Sequence, residues 1–179
     1  MKQPSRPDIR FEQGTGLEAA AARVAGPGIS APPGAPPMAR RLNPTLQRIW
    51  VRSQMNAWTT LAIVGSSEGM PDGTMSVARG LAQVAAESGG ALGLIDGRSL
   101  ELKHLAQVQA RLRSTVARQT VVVLPLPKDN PVTVSVAQAC DSAILCVFLG
   151  ETSRVVSSQT IEQIGRERFI GTVILRPRG

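Results

Sequence analysis

Five short apolar segments recur along the chain from residue 59 onwards, separated by longer and more polar stretches. They are TTLAIVG (59–65), ALGLID (91–96), TVVVLPLP (120–127), SAILCVFL (142–149) and FIGTVIL (169–175). Continuous apolar runs of this length, bounded by polar or glycine-rich turns, are typical of strands that are buried on both faces. The pattern therefore predicts five strands of a covered sheet.

The stretches between the strands have helical periodicity. They predict helices over 75–87, 99–117, 131–140 and about 157–166. The helix over 99–117 has the clearest apolar face, formed by Leu102, Leu105, Val108, Leu112 and Val116. Strands that alternate with helices favour right-handed crossovers and parallel pairing. The predicted fold class is thus α/β, a three-layer, mainly parallel five-stranded sheet with helices on both faces.

A further helix is predicted before the first strand, over residues 43–57. Asn43 can cap it and Pro44 suits its first turn. Its apolar positions fall broadly on one side and its arginines on the other. The apolar positions are Leu46, Ile49, Trp50 and Met55, and the arginines include Arg48 and Arg52.

Residues 1–42 have a different composition, rich in Pro, Gly, Ala and Arg. Proline and glycine oppose regular structure, and little apolar surface is present to offset the entropy cost of order. We predict a disordered basic leader over 1–42 and an α/β domain over 43–179. A short helix over 15–24 would be marginal in water by itself and would need a partner to dock on.

Charge and composition exclude several classes of protein. The net charge is +7, with eight Arg/Lys against three acids in residues 1–57 and twelve against ten in the remainder. The positive charges are too sparse to indicate binding to DNA or RNA, so we do not expect nucleic acid as a partner. A basic leader can nevertheless hold nucleic acid or anionic lipid. No apolar run reaches the roughly 18 residues of a membrane span, and the first residues lack the apolar core of a signal peptide.

Two cysteines, Cys140 and Cys146, and one histidine, His104, limit metal and nucleophile chemistry. Two cysteines cannot form a disulfide framework or a four-ligand zinc site. We interpret the cysteines as small core residues and the histidine as a structural one, and we predict no metal site.

The loop after the first predicted strand has the position and length of a phosphate-binding loop. A working loop has the pattern G-x-x-x-x-G-K followed by Ser or Thr, which supplies backbone amides, a lysine for the phosphates and a hydroxyl for magnesium. With Gly73 as the second glycine, Thr74 takes the lysine position, Met75 the hydroxyl position and Glu68 that of the first glycine. We interpret this as a loop that keeps the shape of the fold without its ligand.

The ends of the second and third predicted strands are further positions for a ligand or catalytic site. Asp96 ends strand two, where a carboxylate can hold magnesium or orient water, although Arg98 can instead neutralise it. At the end of strand three the first carboxylate is Asp129, beyond two prolines. We predict no catalytic residue and a vestigial cofactor site at Gly73, Thr74 and Asp96.

From about Leu46 to Leu175 the chain resembles the cytoplasmic domain of bacterial tyrosine autokinases (BY-kinases) and, more distantly, the ParA/MinD ATPases. The matching segments are TLAIVGSSEGMPDGTMSVARGLAQVAAESGGALGLID, ACDSAILCVFLGETS and IGTVIL. Asp141 stands where the family has an aspartate opening strand four, and Thr152 lies on the loop after that strand. The resemblance implies a P-loop NTPase-like, Rossmann-like fold.

The departures from the family are at its catalytic positions. Thr74 and Met75 replace the lysine and the hydroxyl residue, Arg98 stands where a second acid is expected, and no acid lies near Leu124. The chain also contains no tyrosine, whereas the kinases phosphorylate a tyrosine cluster. We therefore expect a pseudoenzyme with degenerate Walker motifs and without a cofactor.

The resemblance implies a role in exopolysaccharide biosynthesis and export, as a non-catalytic protein that binds the cytoplasmic part of a polysaccharide co-polymerase or another inner-membrane export protein. Arg48, Arg52 and Trp50 are the candidate partner-binding residues, and a homo-oligomer is left open. We expect a cytoplasmic location, peripheral at the inner membrane. Two alternatives remain: a divergent ATPase or tyrosine kinase-like enzyme that uses Asp96 with ATP and magnesium, or a ParA-like positioning factor.

Overall fold

Residues 43–67, 71–114 and 119–176 are described by a computed structural model, and all of them belong to one unit, Leu42–Gly179. In this part of the chain five α-helices alternate with five strands. The helices are α1 (Pro44–Gln54), α2 (Pro71–Glu87), α3 (Leu105–Ser114), α4 (Val132–Ala139) and α5 (Arg154–Ile164). The strands are β1 (Thr60–Gly65), β2 (Gly93–Asp96), β3 (Thr120–Leu124), β4 (Ser142–Phe148) and β5 (Phe169–Leu175).

The five strands form one parallel sheet in the order β2-β3-β1-β4-β5. Because every pairing is parallel, the carboxyl ends of all five strands lie on the same side of the sheet, which we call the carboxyl edge. There Gly65 pairs with Cys146 and Asp96 with Val123. The predicted fold class is confirmed. The predicted leader and the helix over 15–24 lie outside the described residues.

Alternate residues of β1 separate the two halves of the core. Leu61 and Ile63 face α1 and α2, whereas Ala62 and Val64 face α3, α4 and α5. All four side chains have no solvent exposure. Both faces of the sheet are thus covered, which explains why its strands are continuous apolar runs rather than alternating ones.

Two helices begin earlier than their apolar periodicity predicts. Helix α2 begins at Pro71 rather than residue 75, since proline is well suited to a first helical turn and Asp72 favours the positive end of the helix dipole. Helix α5 begins at Arg154 rather than residue 157, because the Ser153 hydroxyl accepts a hydrogen bond from the Val155 N–H and caps it.

Two apolar side chains predicted on core-facing sides are exposed instead. Met55 is 82% exposed because α1 ends at Gln54, before a turn that brings Ala57 to a positive φ of 43°. Leu102 is 74% exposed because residues 102–104 form a separate 3-10 turn, and α3 begins only at Leu105. Both errors come from extending a helical pattern beyond the point where the backbone leaves it.

Residues 43–67, 71–114 and 119–176 include no helix that is both long enough and apolar enough to span a membrane.

Candidate functional site

The carboxyl edge of the sheet is the expected position of a ligand site, because open α/β sheets bind ligands outside the carboxyl ends of their strands. The loop from β1 to α2 begins at this edge and includes residues 68–70, which lie outside the described residues together with the predicted Glu68 position. Thr74 lies in the first turn of α2 and is only 2% exposed. Its methyl carbon packs near Gly65, where an added Cβ would lie 3.4 Å away, in ordinary van der Waals contact.

Gly73 lies beside Thr74 and serves the packing of α2 on the sheet. A Cβ at this position would lie 2.7 Å from Cζ of Phe148 and 3.3 Å from Cδ1 of Leu175. A carbon at 2.7 Å is well inside van der Waals contact, so the Phe148 ring at the end of β4 requires the glycine. The absence of a side chain at Gly73 is therefore explained by packing alone.

Met75 takes the position at which the loop pattern has a hydroxyl. Its side chain is 4% exposed and lies in the core between α2 and the sheet, with Trp58 and Leu61. A thioether buried among apolar side chains supplies no oxygen for magnesium, which prefers oxygen ligands.

Asp96 ends β2 and is held by a tight turn. Its Oδ1 accepts hydrogen bonds from the backbone N–H of Arg98 at 3.2 Å and from Nε of Arg98 at 2.8 Å, while Oδ2 accepts from Nη2 at 2.7 Å. Gly97 makes the turn possible, because a Cβ there would lie 2.8 Å from the Val123 carbonyl oxygen. The carboxylate and the guanidinium form a bidentate pair, the strongest geometry for such groups.

Arg98 also reaches the first turn of α2, where Nη1 lies 3.2 Å from Oδ1 of Asp72. The hydrogen bonds from Arg98 lower the pKa of Asp96 below its usual value, although partial burial opposes this. The Asp96 hydrogen bonds likewise raise the pKa of Arg98. One permanent positive charge thus lies between two carboxylates and joins the end of β2 to the start of α2.

A hydroxyl network at the ends of β1 and β4 was not predicted from the sequence. The buried Ser66 hydroxyl donates to the Cys146 carbonyl at 2.6 Å and lies 3.1 Å from Oγ1 of Thr152. The same Oγ1 accepts from the Phe148 N–H at 2.9 Å. The one signal in the sequence was position, since Ser66 and Thr152 both follow strands. The network joins the two loops that would flank a ligand.

The side chains described at this edge differ from the phosphate-binding pattern at the positions that would contact a magnesium nucleotide. The lysine position is a buried threonine, the hydroxyl position is a core methionine, and Asp96 is paired with Arg98. The end of β3 carries Leu124 and Leu126, both buried, and no carboxylate. Residues 43–67, 71–114 and 119–176 also contain no cluster of three His, Cys, Asp or Glu side chains able to hold a metal ion.

The predicted partner residues of α1 are divided between two sides of the helix. Arg48 and Arg52 are exposed. Trp50 is half-buried and packs edge-to-face on Trp58, with ring centroids 6.2 Å apart and an angle of 86° between the rings. Trp50 thus lies on the apolar side of α1, as the sequence pattern predicts, and its role in partner binding stays a prediction. Its ring stabilises the contact of α1 with the core.

The remaining candidates are structural. Burial raises the pKa of both the Cys140 and the Cys146 thiol to about 12, so neither forms a thiolate readily. His104 accepts a hydrogen bond at Nδ1 from the Glu101 N–H at 3.4 Å and closes a capping box before α3.

No protein-family model matches the chain, and no characterised protein is significantly similar to it in sequence. Among solved structures, the kinase domain of the Escherichia coli tyrosine kinase ETK is similar in fold. The TM-score is 0.56 at 13% sequence identity, over 68% of this chain and 69% of that chain. The comparison shows that the chain shares its α/β fold with this tyrosine kinase domain.

Proposed function

We propose that this protein is a non-catalytic, kinase-like accessory protein that acts by binding another protein. The observation that supports this most strongly is the pairing of Asp96 with Arg98 at 2.7 and 2.8 Å. In a phosphoryl-transfer site a carboxylate in this position would be available to magnesium. Here the guanidinium of Arg98 takes that place, and it also pairs with Asp72.

The buried positions of the loop support the same proposal. A protein that used the loop for catalysis would present a cation to the phosphates and a hydroxyl to the metal. Thr74 and Met75 are turned into the protein, where they stabilise the contact of α2 with the sheet. A fold that is maintained while its ligand positions are used for packing supports a role in binding another protein rather than in catalysis.

The partner that we propose is the cytoplasmic part of a polysaccharide co-polymerase or another inner-membrane export protein, in exopolysaccharide biosynthesis and export. The structural relative supports this proposal only by its fold and by being a tyrosine kinase. The protein would then be cytoplasmic and peripheral at the inner membrane, with Arg48 and Arg52 of α1 at the interface.

The first experiment is isothermal titration of ATP and ADP into the purified protein, with and without magnesium. We expect no heat of binding up to millimolar nucleotide. Micromolar, magnesium-dependent binding that the Asp96→Ala substitution abolishes would overturn the proposal in favour of an enzyme. Asp129→Ala is the matched control, since Asp129 is exposed and lies beyond the end of β3. Co-purification with a co-polymerase from the same operon then tests the partner.

A further inference from the structure

A groove lies between α1 and the edge strand β5, away from the carboxyl edge of the sheet. Its volume is about 430 Å³. It is lined on one side by Arg48, Ile49 and Arg52 of α1 and on the other by Ile170, Gly171 and Val173 of β5. The surface thus combines an apolar floor with two cations on its rim.

The two cations of the groove have no anionic partner among the described residues. The ion pairs there involve Arg98 and Lys103, and no carboxylate of these residues pairs with Arg48 or Arg52. The two arginines are four residues apart, so their like charges repel each other on one face of the helix. An anionic occupant would relieve this repulsion and pair with both guanidinium groups.

The second wall of the groove is a strand with a free edge. β5 is the last strand of the sheet and pairs only with β4 among the described strands. Every second N–H and C=O of such a strand points away from the sheet and can pair with another extended chain. Gly171 leaves room for this approach, because a Cβ there would contact nothing within 4 Å.

The spacing of the arginines matches that of an added strand. Four residues of helix rise about 6 Å, and alternate side chains of a strand, which share a face, are about 6.6 Å apart. Carboxylates at alternate positions could therefore reach both arginines. The intervening side chains would lie on the opposite face of the sheet, where Ile174 is 65% exposed.

We propose that β5 is extended by an acidic strand from a partner protein, in which carboxylates alternate with apolar side chains. The carboxylates pair with Arg48 and Arg52, and the apolar side chains cover Ile174. This inference rests on the proposed docking role of α1, for which it names the chemistry of the partner.

The probe is a fluorescently labelled eight-residue peptide in which Glu and Val alternate, with anisotropy as the readout. We expect saturable binding that weakens with added salt. An Arg48→Ala/Arg52→Ala variant should bind about tenfold more weakly or worse, as loss of two charge-assisted contacts requires. The control Arg113→Ala, on α3 at the other face of the sheet, should bind normally.

Two further comparisons separate shape from charge. Gly171→Leu should abolish binding by filling the groove, and the protein should still fold, because a Cβ at this position would contact nothing within 4 Å. A peptide of the same composition with the four Glu and four Val in separate blocks should bind weakly, and a Lys–Val peptide should not bind.

Several results would overturn the inference. They are absence of Glu–Val binding up to millimolar peptide, equal binding by the Arg48→Ala/Arg52→Ala variant, and equal binding of the block or Lys–Val peptide. A dimer that dissociates on the same double substitution would identify a second copy as the occupant. Sedimentation with phosphatidylserine vesicles, lost in that variant, would identify a membrane. None of these results changes the nucleotide titration, in which no binding is expected. If the proposed function is wrong, that titration detects nucleotide binding, while peptide binding is unchanged.

Discussion

One aspartate lies at the amino ends of the strands, the amino edge of the sheet, and another lies at their carboxyl ends. The two carboxylates have different kinds of partner. At the amino edge, Oδ2 of Asp141 accepts hydrogen bonds from the N–H groups of Thr59 at 2.9 Å and Thr60 at 2.8 Å, and from the Thr60 hydroxyl at 3.0 Å. At the carboxyl edge, Asp96 pairs with the side chain of Arg98. The amino edge thus uses a carboxylate to complete backbone hydrogen bonding, and the carboxyl edge uses one to neutralise a cation.

The comparison shows that the carboxylate at each edge has its partners within the protein, including at the edge where ligands bind in related folds. The two pairings differ in what their loss would leave behind. Without Asp141, the N–H of the buried Thr60 would lose its acceptor. Without Arg98, Asp96 would face water, since its side chain is 47% exposed. The amino edge should therefore be more sensitive to substitution.

The largest effect is expected for Asp141→Ala. The substitution removes an acceptor of three hydrogen bonds, two from backbone amides, and should lower the free energy of unfolding by about 3 kcal/mol. Urea unfolding followed by tryptophan fluorescence measures this. Asp129→Ala, at an exposed site, should change stability by less than about 0.5 kcal/mol. A loss below about 1 kcal/mol for Asp141→Ala would remove the distinction between the two edges.

A pH dependence should accompany that loss. Burial opposes the charge of Asp141, but the hydrogen bonds from Thr60 and Thr59 outweigh it and lower its pKa. An aspartate whose pKa is lower in the folded state stabilises the fold fully above its unfolded pKa of about 3.9, and the stabilisation is lost as the pH falls through the folded pKa. The stability difference between wild type and Asp141→Asn should thus be constant from pH 7 to 5 and shrink below about pH 4. A difference that grows on acidification would contradict this.

The strands and the start of α1 could be predicted closely from the sequence, whereas the first turns of α2 and α5 could not. A strand such as TVVVL is marked by its own residues, because burial on both faces requires an uninterrupted apolar run. The start of α2 is instead set by Pro71 and Asp72, residues that turns favour as well. Whether Pro71 and Asp72 begin a helix or form a turn depends on how this part of the chain packs on the sheet, which the local sequence does not show.

The candidate site could be predicted as a set of positions but not as a set of contacts. The sequence places Thr74, Met75 and Asp96 in the pattern, and Arg98 near Asp96. The approach of Phe148 to Gly73 joins residues 75 positions apart in the chain, so no local pattern could indicate it. The edge-to-face contact of Trp50 likewise involves Trp58, a residue outside α1.

A smaller effect is expected for Gly73→Ala, which tests whether the carboxyl edge is organised by packing. The added methyl overlaps the Phe148 ring and should cost about 1–3 kcal/mol, as overpacking of a core does. Gly171→Ala is the matched control, because its methyl enters open space. Chemical denaturation of both variants gives the comparison. A Phe148→Leu substitution should reduce the penalty at residue 73 when the two are combined, and strict additivity would exclude direct contact as the cause.

The smallest effect on stability is expected for Arg98→Ala. An exposed ion pair contributes about 0.2–1 kcal/mol, so the free energy of unfolding should fall by no more than that. The pKa of Asp96 should nevertheless rise, because the hydrogen bonds from Arg98 are the main cause of its lowering. NMR titration of the Asp96 carboxyl carbon measures the rise, with Lys103→Ala as a control for an ion pair elsewhere on the surface. A loss near 3 kcal/mol would instead place this ion pair among the contacts that hold β2 to α2 and would make the two edges equivalent. A small loss with a raised pKa would show that the carboxyl edge keeps its shape without the arginine, so that Arg98 neutralises Asp96 more than it supports the fold.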